Sequence, residues 1–345
     1  MDHPHGAGIL RWNRSRWTWA RLVVGAAILA FLVWQLGAGS FLEPLRLIDA
    51  WSLAAAAAIA VLTTVACAWR WRLVSRGLGT DLPLRGAVSA YYLSQFLNTV
   101  LPGGVLGDAH RAVRRGRDVG DIGHGLRAVV WERTAGQVAQ IALTMAVLLV
   151  MPSPVRSSMP VVAGLVVTGT LCAVLLVRAL PRLAPSALAR IAHAVAVDLR
   201  DILLTRRAWS GIMLASIVVV IGHTATFLLA ARTAGSSASL VEMLPLALIV
   251  LLAMGLPTNI AGWGPREGVA AWLFAVAGLG AAQGVAVAVV YGVMALVATL
   301  PGGVVLFATW FRRRSDRIEP YASDRRPTSD RRPPVIVDLK GAAGG

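Results

Sequence analysis

The chain has few charged residues, one lysine and two cysteines. Lys340 is the only lysine among 33 basic residues, so the net charge of +16 comes from arginine, with only 17 acidic residues against it. Charged residues make up 14% of the 345 positions, well below the roughly 25% that is usual in soluble domains. Cys67 and Cys172 both lie in apolar runs. This argues against a fold held together by disulfides.

The sequence also lacks the short motifs of common enzymes. It contains no His-Glu-x-x-His, no Gly-x-Ser-x-Gly, no nucleotide-binding P-loop and no Cys/His spacing typical of zinc sites. We therefore predict no metal, no other cofactor and no enzyme activity of these types. A glycosyltransferase acting on lipid-linked sugars is disfavoured, because the loop 37–50 offers only Glu43 and Asp49 as acids. A lipid-phosphate transferase or hydrolase stays open as an alternative.

Long apolar runs dominate what is present. Apolar residues form 57% of the chain, and several runs reach the roughly 20 residues that cross a bilayer. This composition predicts an all-α, polytopic integral membrane helix bundle. We predict full spans at about 20–36, 51–69, 126–150, 159–178, 209–231 and 285–310. A signal peptide is the alternative for the first run, and it is disfavoured because apolar runs continue to the end of the chain.

Arginine predicts the orientation of these spans. The loops 37–50, 152–158 and 232–242 hold one arginine each, whereas the loops that alternate with them hold several. Loops rich in arginine stay on the cytoplasmic side of the membrane. Both termini are therefore predicted to be cytoplasmic, in the plasma membrane. The same arginines suit anionic lipid surfaces, and nucleic acid is not expected as a partner. The predicted regions are a cytoplasmic basic N-terminus (1–19), a transmembrane domain (20–311) and a disordered Arg/Pro-rich tail (312–345).

Two apolar segments are broken by proline and glycine in the same pattern. Leu101-Pro102 and Leu256-Pro257 are each followed by a glycine five positions after the proline and an arginine nine positions after it. Paired broken segments of this kind indicate a transporter binding site. Basic clusters on both sides of the first break predict a re-entrant segment that enters and leaves from the cytoplasm. The second break is either two spans or a second hairpin, which gives six to eight crossings and allows an inverted repeat.

Ionisable groups at membrane depth are costly and usually mark function. At the first break, exposed backbone amides and a following arginine suit a phosphate group, and a plain Asp108–Arg111 pair is the alternative. In the next span, residues 133, 137 and 140 share one helix face that is predicted to point into the bundle. At the second break, Arg266 is either free to bind an anion or paired with Glu267 as a helix cap. The candidate substrate-binding residues are Asn98, Pro102, Gly103, Gly104, Asp108, Arg111, Glu132, Arg133, Gln137, Asn259, Arg266 and Glu267.

His223 lies roughly midway along an apolar span. A single histidine there is either a packing element or a proton relay. The sequence favours the packing interpretation.

Taken in order, the segments 96–111, 132–136, 262–268 and 300–303 resemble the lysylphosphatidylglycerol-synthase transmembrane family, also called flippase-like membrane proteins. The resemblance covers roughly residues 15–312. It implies a module that moves a lipid with an anionic or aminoacylated head group between leaflets, or assists an enzyme that makes one. The synthases also carry an aminoacyl-transferase domain, for which this sequence has no room. We therefore expect a stand-alone member that makes no lysyl-lipid by itself.

These observations predict a lipid flippase for an anionic, aminoacylated or polyprenyl-linked lipid. The partners expected are a membrane lipid and, in the alternative of a non-catalytic partner, a lipid-modifying or glycan enzyme.

Overall fold

The fold was examined in a computed structural model. It describes residues 30–101, 104–151, 197–198, 200, 206–255 and 264–318. Residues up to Val305 belong to one compact unit, and those from Leu306 onwards belong to a second. Within the second unit, the rings of Phe307, Trp310 and Phe311 contact one another in edge-to-face and tilted arrangements, with 4.8 Å between the centroids of Phe307 and Phe311.

The described residues form helices joined by turns. After helical residues at 30–36 and two short helical turns, Gly39–Leu42 and Glu43–Leu47, come eight longer helices. They are α1 (Ala50–Gly77), α2 (Leu84–Val100), α3 (Leu106–Asp118), α4 (Ile122–Val150), α5 (Arg206–Thr233), α6 (Leu240–Ala253), α7 (Pro265–Val276) and α8 (Ala281–Ile318). Among these residues, α1, α4, α5 and α8 are long and apolar enough to cross a membrane. The predicted fold class, an all-α polytopic membrane bundle, is confirmed.

The predicted spans differ from the helices mainly at their ends. The span 51–69 lies inside α1, which begins after Asp49, whose side chain accepts a hydrogen bond from the Ser52 amide at 2.8 Å. α1 continues to Gly77, so Arg70 belongs to the helix and not to a loop. The span predicted at 159–178, most of the first span and the tail beyond 318 lie outside the described residues.

The first break separates α2 from α3, and these helices pack against each other. Close packing is possible because Gly107 has no side chain: a Cβ there would overlap the Ser94 backbone carbonyl. α3 has 13 residues and carries several arginines. It is therefore too short and too polar to span a bilayer.

The second break separates α6 from α7, which also pack against each other. α6 has 14 residues and α7 has 12. At about 1.5 Å per residue, neither covers the roughly 30 Å hydrocarbon core. These lengths favour a hairpin over two separate spans.

Ser239 caps the start of α6. Its hydroxyl accepts from the Glu242 amide, and Glu242 returns a bond to the Ser239 amide at 2.9 Å, which completes a capping box. We expect Ser239→Ala to destabilise the protein by about 1 kcal/mol, because the Glu242 amide loses the hydroxyl oxygen that accepts its hydrogen bond. A thermal unfolding series in detergent checks this. Ser236→Ala, in the same loop, should melt like the wild type, and an equal shift in both variants would contradict the capping role.

The largest apolar core lies among α5, α6, α7 and α8. Its fully buried members include Phe227, Leu246, Leu273 and Met294. The outer faces carry many exposed apolar side chains, as expected for helices that face lipid.

α8 crosses α2 at very close range. A Cβ at Gly302 would overlap the backbone carbonyl of Tyr92, and Gly303 faces the ring of Phe96. α8 remains helical through Pro301 at this crossing. The predicted Leu300-Pro-Gly-Gly segment therefore functions as a helix-packing surface.

Candidate functional site

Glu132 lies at the centre of a buried ionic cluster. Its side chain is 0% exposed, although carboxylates are almost never fully buried without partners. One carboxylate oxygen accepts from Arg70 on α1, at 2.5 Å from Nη2 and 2.9 Å from Nε, and from the Tyr91 hydroxyl on α2 at 3.2 Å. The other oxygen accepts from Arg111 on α3 at 2.9 Å. Glu132 thus joins four helices through charge-assisted hydrogen bonds.

Asp108 forms the second acidic centre, at the start of α3. It accepts from Arg111 at 2.9 Å and from Arg133 at 2.8 Å. The Ser94 hydroxyl also donates to it, at 3.1 Å. Burial alone raises the pKa of the Asp108 carboxyl, but the charges of Arg133 and Arg111 outweigh this and hold that pKa below its ordinary value. Asp108 is therefore a carboxylate at neutral pH.

Asn98 closes the first break. Its side-chain oxygen accepts from the Gly107 amide at 2.7 Å, and its side-chain nitrogen donates to Asp108 at 3.1 Å. Gly104, inside the break, has a φ of +61°, a backbone conformation that glycine adopts without strain. Pro102 and Gly103 lie outside the described residues. Through its two hydrogen bonds, Asn98 holds the end of α2 against the start of α3.

Arg111 is held between aromatic rings. Its guanidinium carbon lies 4.6 Å from the ring centroid of Trp71 and 4.3 Å from that of Tyr91. Such cation–π contacts are worth on the order of 2 kcal/mol when desolvated. The side chain is 1% exposed, and its Nε and Nη1 atoms have no hydrogen-bond partner. Arg111 thus has donors beyond those that its carboxylate partners use.

The cluster carries an excess of positive charge. Three guanidinium groups, those of Arg70, Arg111 and Arg133, face the two carboxylates of Glu132 and Asp108. Arg133 is the accessible member, with 46% of its side chain exposed. We call these five residues the arginine cluster. The arrangement is suited to an anion that approaches from the Arg133 side.

The second break has a simpler ion pair. Arg266 bonds to the neighbouring Glu267, and both are buried. Glu267 also accepts from the Gly264 amide at 2.6 Å, so it caps the start of α7. The helix-cap alternative from the sequence is therefore present in the structure. Asn259 and Trp263 lie outside the described residues.

Arg266 also lies close to α8. Its guanidinium carbon is 5.5 Å from the ring centroid of Tyr291, and a Cβ at Gly292 would overlap its Nη2 atom. A buried arginine at each break is thus paired with a fully buried glutamate and lies over a tyrosine ring.

The polar face of α4 extends towards the second break. Gln140 is buried and donates to the Leu248 carbonyl on α6 at 3.5 Å. The Gln137 amide lies against Gly255, where a Cβ would overlap it. Of the three residues on the predicted face, Gln140 is buried, whereas Arg133 and Gln137 are exposed, so only the Gln140 end of this face points into the bundle. It connects the arginine cluster with the helix that leads into the second break.

The family model for the lysylphosphatidylglycerol synthase TM region matches residues 18–303. The chain belongs to this family. Neither a curated protein nor a solved structure gives a significant match. Both breaks, the arginine cluster and the Arg266–Glu267 pair of this family member lie inside the matched range.

Three contributors to the site of this family member were missed in the sequence. Arg70 lies just beyond the predicted span at 51–69, and neither Trp71 nor Tyr91 is among the predicted site residues. Glu132 offered a signal, because an acidic residue near an apolar run needs a cationic partner. Within the described residues, no group of three or more His, Cys, Asp or Glu side chains could hold a metal.

Proposed function

We propose that this protein is a lipid flippase, which binds the phosphate of an anionic lipid head group at the arginine cluster and moves it between leaflets. The observation that supports this most is the excess positive charge of a buried cluster beside a break in a helix hairpin. A lipid phosphate supplies the missing negative charge and accepts several hydrogen bonds.

Arg133 is the entry point in this proposal. It lies at the exposed edge of the cluster, where its guanidinium pairs with Asp108 at 2.8 Å. An arriving phosphate replaces Asp108 as its partner and then reaches the spare donors of Arg111. The head group exchanges its hydration shell for fixed donors, which lowers the cost of entering the membrane.

The two hairpins form the gates in this proposal. The α2–α3 hairpin opens to the cytoplasm, and the α6–α7 hairpin opens to the other side, with both termini cytoplasmic in the plasma membrane. The Arg266–Glu267 pair keeps the second gate closed. When that gate opens, Arg266 and Asn259 receive the head group. The two short helix pairs support this, since a hairpin can open at its break without unfolding a membrane-spanning helix.

Arg133→Gln tests the proposal in proteoliposomes that contain fluorescent phosphatidylglycerol in both leaflets. We expect lipid exchange to fall about tenfold or more, because one charge-assisted hydrogen bond is worth about 1.5–3 kcal/mol. Dithionite quenching of the outer leaflet over time measures the rate. Arg117→Gln, an exposed arginine on α3, is the matched control and should leave the rate unchanged.

The same vesicles separate the alternatives. Equal rates for wild type and Arg133→Gln would contradict the proposed site. A change in the mass of the lipid during the assay would instead favour a transferase or hydrolase. Absence of exchange by purified protein, together with stimulation of a co-purified lipid or glycan enzyme, would favour the non-catalytic partner.

A further inference from the structure

A cavity of about 60 Å³ lies between α1, α2, α5 and α8. Its lining is mostly apolar and includes a few hydroxyl, amide and imidazole groups. The polar members are Thr63, Thr64, Gln95, His223, Thr226, Tyr291 and Thr299. One water molecule needs about 10–15 Å³ of cavity volume, so the cavity has room for about four. The polar side chains of the lining offer these waters hydrogen-bond partners.

His223 and Tyr291 are the only titratable residues in the described lining. The Nδ1 atom of His223 lies 3.1 Å from the Tyr291 hydroxyl. Tyr291 is fully buried, and its ring lies beneath Arg266. The histidine therefore contacts a hydroxyl that can either accept or donate a hydrogen bond, next to space for water.

The cavity is adjacent to the arginine cluster. Gln95 lies one turn after Tyr91 on α2, and its side chain accepts a hydrogen bond from Thr64 at 3.0 Å. Residues four apart share a helix face. The ring that supports Arg111 and the wall of the cavity are thus on the same side of α2.

The charges that act on His223 come from the arginine cluster. They are Arg133 on α4 and Arg70 on α1. α2 contributes only neutral Gln95 to the lining, α8 contributes Tyr291, and α7 acts through Arg266 and Glu267 behind that tyrosine. The described part of α6 has one acid, Glu242, in its first turn. Burial acts most strongly against a charge on the imidazole, and these two positive charges add to that effect. An anion bound at the cluster reduces the part that comes from the two arginines.

We propose that His223 and its cavity form a proton-binding site that is coupled to head-group binding. When an anionic phosphate occupies the arginine cluster, a proton taken up from the surrounding solution binds the imidazole, which then donates a hydrogen bond to the Tyr291 hydroxyl. When the lipid leaves, the proton returns to water. Because such coupling is reciprocal, the lipid binds more tightly as the pH falls. This inference rests on the proposed function and names the coupling ion of the same site.

Dioctanoyl phosphatidylglycerol is a suitable probe, since its phosphodiester does not titrate near neutral pH. Calorimetric titration of the purified full-length protein between pH 5.5 and 8, in two buffers of different ionisation enthalpy, gives the affinity and the protons exchanged. We expect the wild type to take up on the order of one proton, with affinity rising up to about tenfold per pH unit. His223→Gln should bind as the wild type does at pH 8, with no pH dependence. His124→Gln, at the start of α4, is the matched control and should keep the dependence.

Each other outcome counts against the inference. Binding of wild type that does not vary with pH, or an unchanged pH dependence in His223→Gln, overturns it while leaving the flippase proposal intact. Absence of binding at every pH overturns both. If His223→Gln does not fold, Tyr291→Phe removes the hydroxyl that the imidazole contacts and should shift the midpoint of the pH dependence. An unshifted midpoint also overturns the inference.

Discussion

Replacing Glu132 with glutamine is expected to destabilise the protein by about 3–5 kcal/mol. The physical reason is the charge left behind. Arg70 and Arg111 are both buried, and both donate hydrogen bonds to this carboxylate. A neutral amide retains one acceptor oxygen but cannot balance two guanidinium groups in a place that water does not reach.

Thermal unfolding in detergent, followed by the loss of the monodisperse species, measures the effect. Asp118→Asn is the matched control, because it removes one carboxylate from an exposed position on α3. It should melt within a degree or two of the wild type, as surface substitutions usually cost less than about 0.5 kcal/mol. A Glu132→Gln protein as stable as this control would mean that the cluster contributes nothing to folding.

The combined Glu132→Gln/Arg70→Gln variant gives a further check. Removing both members of a buried pair usually costs less than removing one, because the double variant restores the net charge that the cluster has in the wild type. We expect the double variant to be more stable than Glu132→Gln alone. A strictly additive loss would show that Arg70 and Glu132 do not interact.

Gly107→Ala should have the second largest effect, a loss of about 1–3 kcal/mol together with loss of lipid exchange. The added Cβ meets the Ser94 backbone carbonyl, which cannot move away as a flexible side chain could. α3 must then shift, and the 2.7 Å bond between the Gly107 amide and Asn98 breaks. Because Asp108 and Arg111 are on the same helix, the arginine cluster shifts with it.

Gly86→Ala is the matched control on α2. A Cβ there would lie at an ordinary 3.6 Å from the Pro83 ring. Alanine is favoured over glycine in a helix by roughly 0.5–1 kcal/mol, so this variant should be slightly more stable than the wild type. Thermal unfolding and the vesicle exchange assay measure both variants. Wild-type exchange by Gly107→Ala would contradict the role given to the hairpin.

The sequence pattern located both breaks correctly, because proline and glycine act on the backbone at the position where they occur. α2 ends at Val100 and α6 ends at Ala253, each within a few residues of a Leu-Pro pair. The polar face of α4 was also predictable, since helical periodicity alone places residues 133, 137 and 140 on one side.

The partners within the site could not be predicted in the same way. Trp69 was interpreted as the end of a span, yet α1 continues for two further turns and buries Arg70 against Glu132. Tyr91 reaches Glu132 from another helix, across 41 positions of sequence. Contacts of this kind depend on how helices pack, and an alternation of apolar and polar residues does not determine which helices become neighbours.

The Arg266–Glu267 pair could be predicted in part from the sequence. Pro265 and Glu267 predict the first turn of a helix, and α7 begins there. Whether the arginine stays free or turns back to the glutamate depends on its surroundings. Here the ring of Tyr291 and the gap at Gly292 provide a place for the guanidinium beside its neighbour.

The crossing at Gly302 has a mechanical consequence. At this crossing the backbone of α8 at Gly302 lies directly against the backbone of α2 at Tyr92, with no side chain between them. Because the contact is so close, α2 cannot move towards α8 without displacing it. α2 carries Tyr91 and Asn98, and α8 carries Tyr291. A displacement of α2 at the first break therefore pushes on α8, which forms one wall of the cavity.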